Sequence, residues 1–257
     1  MPELHYSCSG DGAPLLILHG LFGSARNWQS HARRFAEHFE VYSIDLRNHG
    51  QSFHAEPMNY EVMAADLAQL LQRLGLEHCS VLGHSMGGKV AMTLAAHYPR
   101  LVARLLVADI APVAYRHHYD DLIEPILALD LSRYTSRNAI DHALRGHIQQ
   151  DQLRAFLLHN LVRVEDGWGW RVNWRAIQQD MDELTGFDSF ADDWVSDLPA
   201  LFVRGANSDY VGAAEIEVIR RHFSNAEIAT IESAGHWLHA EKPEEFTALA
   251  LQFLRED

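Results

Sequence analysis

Ser80-Val81-Leu82-Gly83-His84-Ser85-Met86-Gly87-Gly88-Lys89 decides how the chain is read. A short apolar run, residues 80–84, ends at Gly83-His84, and small residues at Gly87, Gly88, Ala91, Ala95 and Ala96 follow it. A strand that runs straight into a helix forces the serine between them into a sharp, strained turn. The flanking glycines let neighbouring backbone approach where a side chain would clash, and the hydroxyl stands exposed at a helix N-terminus, where it can act as a nucleophile. Gly-x-Ser-x-Gly also occurs in ordinary tight turns. Its place between a strand and a helix is what distinguishes this one.

The same alternation extends outward. Residues 14–19 (PLLILH), 41–45 (VYSID), 103–109 (ARLLVAD), 200–204 (ALFVR) and 226–231 (AEIATI) are short apolar runs bounded by turn residues. Runs of this kind predict strands buried on both faces. Between them lie helix patterns. In 59–75, Tyr60, Met63, Ala64, Leu67, Leu70, Leu71 and Leu74 follow the 3.6-residue period, with Asn59 placed to cap the start and Gly75 the end. Trp28, Ala32, Phe35, Ala36 and Phe39 form a second stripe, and Pro243 opens a last helix carrying Phe246, Leu249, Ala250, Phe253 and Leu254. Strand–helix alternation predicts an α/β fold: a mostly parallel central sheet with helices on both faces. The stretch 111–197 breaks it, with helical patterns and four of the six tryptophans (Trp168, Trp170, Trp174, Trp194). We read a core of 1–110 and 198–257 with a helical cap inserted at 111–197, its helices over Ser85 and its tryptophans lining an apolar pocket.

Bulk properties narrow the class. The 257 residues suit one large domain, or one with an inserted subdomain. A formal charge of −14 repels nucleic acid and anionic lipid surfaces, so neither is an expected partner. Cys8 and Cys79 cannot build a disulfide framework and read as reduced thiols in or beside strands. The start, MPELHYSCSGDG, has no basic stretch followed by an apolar run, and no segment approaches the ~20 apolar residues of a membrane helix. A cytoplasmic protein without membrane insertion is expected. Its oligomeric state is open, and a monomer is compatible.

Acyl transfer needs donors placed where an oxyanion will develop. His19-Gly20-Leu21-Phe22-Gly23 follows the first strong strand, and the amides of Leu21 and Met86 are the expected pair. The general base must come from 17 histidines. His236, in the small-residue loop Ser233-Ala234-Gly235-His236-Trp237 after the last strand, is best placed, and its rivals His239 and His222 fall in or beside helical patterns. Asp45-Leu46-Arg47-Asn48-His49-Gly50 reads as a structural turn, with Asp45 bonding backbone amides and His49 packing. Lys89 reads as solvated or salt-bridged, with contact to an anionic substrate as the sharper alternative. The pair His117-His118 lacks the spacing of a zinc site, and no metal or cofactor is expected.

HGLFGS, DLRNHGQS, GHSMGGK, DIAPV, NSDYV and GHWLHAEKP, in this order along nearly the whole chain, resemble the α/β-hydrolase superfamily. Within it they are similar to the YbfF-type bacterial esterases and the related abhydrolase-domain-eleven proteins. The resemblance implies a cofactor-free serine hydrolase acting on small-molecule acyl esters and thioesters, including acyl-CoA compounds, beneath a helical cap. Phe22 and Trp237 are expected to touch substrate. The triad acid is where the chain departs from the commonest pattern, because Ser208 stands three residues after Gly205, where the acid usually falls. Asp109, ending the strand after the elbow helix, is the favoured acid and Asp209 the alternative. The resemblance supports Asp109, since the YbfF-type pattern keeps the DIAPV aspartate. Lactone hydrolysis, carbon–carbon hydrolysis and perhydrolysis run on the same fold, and a non-catalytic binding protein is the reading from another class.

Overall fold

A computed structural model describes residues 3–116, 119–165 and 167–255. Its centre is a seven-stranded sheet. Among the described residues the strands are, in chain order, β1 (Tyr6–Ser9), β2 (Ala13–Leu18), β3 (Phe39–Ile44), β4 (Cys79–His84), β5 (Val102–Ala108), β6 (Leu161–Val164), β7 (Gly167–Trp170), β8 (Ala200–Gly205) and β9 (Ala226–Ile231). The sheet order is β1-β3-β2-β4-β5-β8-β9. All neighbours are parallel except β1 with β3. The helices are α1 (Gln29–Phe35), α2 (Tyr60–Leu74), α3 (Met86–His97), α4 (Asp120–Leu127), α5 (Arg137–Leu144), α6 (Asp151–Leu158), α7 (Trp174–Gln179), α8 (Met181–Thr185), α9 (Ala213–His222), α10 (Leu238–Glu241) and α11 (Pro243–Leu254).

Successive strand residues face opposite sides, so apolar runs build two cores. Leu16, Leu18, Val81, Leu105 and Val107 pack with Met63 and Leu67 of α2 and Val90 and Leu94 of α3. Leu15, Ile17, Leu82 and Leu106 face the other way, onto Trp28, Phe35 of α1, and Phe246 and Phe253 of α11. Each fully buried aliphatic side chain contributes about 1.5–3 kcal/mol, which is why these runs, rather than local propensity, hold the strands in place. The helix boundaries follow local chemistry. Asn59 accepts a hydrogen bond from the Val62 amide at 2.9 Å. Gly75 ends α2 in the left-handed conformation, φ +67°.

Two features departed from expectation. β1 is an antiparallel edge strand with three of its four residues exposed, so it lacks an apolar run, and Cys8 on it is exposed rather than buried. The stretch between β5 and β8 holds α4 to α8 and also an antiparallel hairpin, β6–β7, pairing Leu161 with Trp170. Its strands are mostly half-buried or exposed, and the period-2 signal is correspondingly weak. This stretch is bonded to the core at several points. The Tyr60 hydroxyl donates to the Leu184 carbonyl at 2.5 Å, the Asn173 amide to Asn48 O at 2.9 Å, and the Met58 amide to Asp180 Oδ2 at 2.7 Å. Among the described residues, no helix is long and apolar enough to cross a membrane.

Candidate active site

Sheet register brings the site together. β4 pairs with β5 through His84 opposite Ala108, and β5 with β8 through Ala108 opposite Val203. Ser85 and Asp109 therefore leave adjacent strands at the same edge. Each has positive φ, +52° and +54°. Such conformations cost a non-glycine residue about 1–3 kcal/mol and persist where surrounding structure enforces them. Their amides are tied down, Ser85 N–H to Ala108 O at 3.0 Å and Asp109 N–H to Val203 O at 2.8 Å. Glycine is required at the turn: a Cβ on Gly83 would lie 2.2 Å from Gly87 O, and one on Gly87 2.5 Å from His19 O.

His236 reaches in from the loop after β9. Its Nε2 lies 3.0 Å from Ser85 Oγ and its Nδ1 2.8 Å from Asp109 Oδ2. With the proton on Nδ1, the ring donates to the carboxylate and accepts from the serine; the hydrogen-bond pattern assigns this tautomer. Asp109 is fully buried. It also accepts from the Gly205 amide at 3.0 Å and from the Ser208 hydroxyl. The Asp209 side chain is exposed and the ring of His236 is bonded to Asp109 instead. Ser208 is a contact that sequence reasoning missed. Position 208 is where the acid usually falls, and serine carries no charge, yet its hydroxyl donates to the carboxylate that ends the neighbouring strand. Tyr210, also missed, stacks on His236 with centroids 3.9 Å apart and planes at 15°. The rival histidines serve packing. His239 stacks on Trp28 at 4.4 Å and His222 Nδ1 donates to Trp194 O at 2.8 Å.

Leu21 and Met86 flank Ser85, in the loop after β2 and at the first position of α3. Asp45 bonds the Ala25 and Gln51 amides at 2.7 and 2.9 Å, the structural part expected of it. His49 is buried, and its Nε2 accepts from the Phe22 amide at 3.1 Å. Desolvation pushes its pKa down to about 3 and keeps it neutral.

A cavity of about 370 Å³ opens on Ser85 and His236. Its walls include Phe22, Trp28 and Trp237 from the core and Tyr119, Leu122, Leu153 and Phe156 from the 111–197 stretch. Both expected contact residues, Phe22 and Trp237, thus face the cavity. The tryptophans of the stretch do not line it. Trp174 packs against Phe22, Trp168 under the Arg163 guanidinium and Trp194 against Phe190 and Phe223. Indole rings at those positions fill the body of the stretch and its seam with the core, which outweighs their use as cavity wall. Lys89, one turn along α3 from Ser85, is neither solvated nor salt-bridged. It is buried, donates to Gly186 O at 2.7 Å and Thr185 O at 3.3 Å, and lies over the rings of Tyr60, Tyr115 and Phe187. Desolvation pushes its pKa down to about 7. His117 and His118 lie outside the described residues.

The serine that follows β4, a histidine between it and a buried carboxylate, and the register of the parallel sheet thus come together at one edge of the fold. Residues 13–243 match the α/β-hydrolase-fold family, and the chain belongs to it. It is 38% identical over 254 residues to the sn-1-specific diacylglycerol lipase ABHD11 of Danio rerio, covering 96% of this chain and 80% of that one. It is 34% identical over 235 residues to the esterase YbfF of Escherichia coli K12, covering 91% and 90%. The solved structure of a marine microorganism esterase superposes with a TM-score of 0.95 at 40% identity, covering 98% of this chain and 100% of that one.

Proposed function

We propose that Ser85, His236 and Asp109 form a catalytic triad and that the amides of Leu21 and Met86 form its oxyanion hole. The protein is a carboxylic ester hydrolase of the α/β-hydrolase fold. The observation that carries the triad is the pair of distances at His236, 3.0 Å to the serine oxygen and 2.8 Å to the aspartate oxygen.

The cycle follows from that arrangement. His236 Nε2 takes the Ser85 proton as Oγ attacks the acyl carbonyl, and the carbonyl electron pair moves onto oxygen, facing the two amides. Asp109 steadies the imidazolium through Nδ1. The tetrahedral species collapses, His236 gives its proton to the departing alcohol or thiol, and an acyl-enzyme is left on Ser85. Water, deprotonated by the same histidine, then cleaves it to the free acid. On this reading residues 111–197 act as a cap, thioesters are substrates beside oxygen esters, and the protein works in the cytoplasm on small acyl compounds. The reaction needs no metal or cofactor.

The test is fluorophosphonate labelling together with turnover of p-nitrophenyl esters and acyl-CoA thioesters of graded length. The parent protein should label at Ser85. Ser85→Ala and His236→Ala should each lower kcat by roughly three or more orders of magnitude, with losses that do not add in the double variant because the residues act as a unit. Near-parental turnover by Ser85→Ala would overturn the triad.

A further inference from the structure

We propose that Asn160, in the stretch between β5 and β8, is a positioning residue for the oxyanion loop: it holds the backbone at Phe22 and so keeps the Leu21 N–H aimed at the reacting carbonyl. The inference rests on the acyl-transfer reading above and deepens it by linking the 111–197 stretch to the chemical step.

The peptide that carries the Leu21 N–H also carries the Gly20 carbonyl. A trans peptide is planar, so fixing its C=O fixes its N–H in the opposite direction. Gly20 O accepts from His19 Nδ1 at 2.8 Å and from the Gly23 amide at 3.0 Å. His19 is oriented by its other nitrogen, which accepts from the Leu46 amide at 3.0 Å. The next peptide is anchored by the Phe22 N–H on His49 Nε2 at 3.1 Å, and His49 Nδ1 donates to Arg47 O at 3.0 Å. These anchors all come from the core.

Asn160 supplies the remaining hold. Its Nδ2 donates to the Phe22 carbonyl at 2.8 Å, across 138 positions of sequence. Phe22 sits at φ +62°, a left-handed conformation that a phenylalanine keeps only under constraint. Its ring packs against two residues of the same stretch, Trp174 at 5.0 Å and Tyr119 at 5.9 Å. Asn160 is 3% exposed, and its backbone is pinned, its N–H to Leu157 O at 3.1 Å and its carbonyl from the Arg171 amide at 2.9 Å. It is not among the residues that line the 370 Å³ cavity. Its contact is with the loop, not with the cavity. An oxyanion hole works because its donors are aligned before charge appears. Without Asn160, a buried carbonyl loses its partner and a strained residue is free to relax away from that alignment.

The variants are Asn160→Leu and the smaller Asn160→Ala, neither of which can donate to the Phe22 carbonyl. Each is measured for kcat and KM on p-nitrophenyl acetate, for Tm, and for the inhibition constant of a trifluoromethyl ketone, which forms an oxyanion adduct with an active serine. Expected is a loss in kcat of about 10- to 100-fold, the scale of one misaligned donor, matched by weaker ketone binding, with KM within about threefold. If Asn160→Leu does not fold, Asn160→Ala decides. Parental kcat and ketone binding, or a change confined to KM and chain-length preference, would overturn the inference and leave the triad standing. A parent protein that forms no ketone adduct would overturn the triad reading, and this inference with it.

Discussion

Asp109 receives three donors, from His236, the Gly205 amide and Ser208, in a fully buried site. A buried carboxylate that could not share its charge would be costly; one so surrounded is stable and still able to hold the imidazole in a single tautomer. Asp109→Asn should leave the fold intact and lower kcat on the order of 10³- to 10⁴-fold, because the amide favours the wrong tautomer. Asp209→Asn should alter kcat by less than about twofold, as expected of an exposed side chain away from the ring. Steady-state kinetics on one ester check both, and a large loss at Asp209 with little at Asp109 would reverse the assignment. Lys89 shows the limit of reading single residues. Its spacing from Ser85 was visible, but the carbonyls of Thr185 and Gly186 that bind it lie 96 and 97 positions away.

At the scale of elements, legibility tracked burial. The parallel strands and α2 declare themselves through apolar period and caps. β1 and the β6–β7 hairpin do not, because exposed strands need no apolar face. The same distinction separates two sets of aromatic residues in the 111–197 stretch. Phe156 of α6 lines the cavity and lies 6.0 Å from Trp237, another of its walls, whereas Trp194 packs into Phe190 and Phe223 away from the site. Phe156→Ala should therefore raise kcat/KM for longer acyl chains relative to acetate by about 5- to 30-fold, the worth of one to two kcal/mol of apolar fit, with kcat on acetate little changed. Trp194→Ala should instead lower stability by about 2–4 kcal/mol at unchanged chain-length preference. A graded p-nitrophenyl ester series with denaturant titration separates them. A selectivity change at Trp194 with none at Phe156 would contradict the cavity geometry.

For the molecule as a whole, burial of histidine is the largest source of pH dependence on view. His19, His31, His49, His84 and His239 are buried, and desolvation lowers each pKa, to about 3 at His49 and His239, from an ordinary 6.5. Unfolding restores the ordinary value, so below it the unfolded chain binds more protons than the native one. The stability from these groups is full above about pH 6.5 and is lost as pH falls towards the folded values. Each contributes up to about 1.4 kcal/mol per pH unit in that window. The urea midpoint should fall markedly between pH 7.5 and pH 5, with net proton uptake on unfolding. A midpoint that stays put over that range would contradict the neutral, buried assignment.

The sequence by itself determined the fold class, the elbow that raises Ser85, the loop that carries His236 and the turn built on Asp45. Each is written in residues a few positions apart, where strand period, helix period and glycine spacing act directly. The sequence favours Asp109 over Asp209 as the acid; that Asp109 meets His236, what Ser208 donates to, where Lys89 is bound and what Asn160 holds were decided only by the tertiary structure. Those contacts span 96 to 138 positions and depend on sheet register and on how the 111–197 stretch docks. The cause is physical: local patterns report which face of an element is apolar, whereas the aim of a polar side chain across a seam is set by the packing of elements that no local pattern relates.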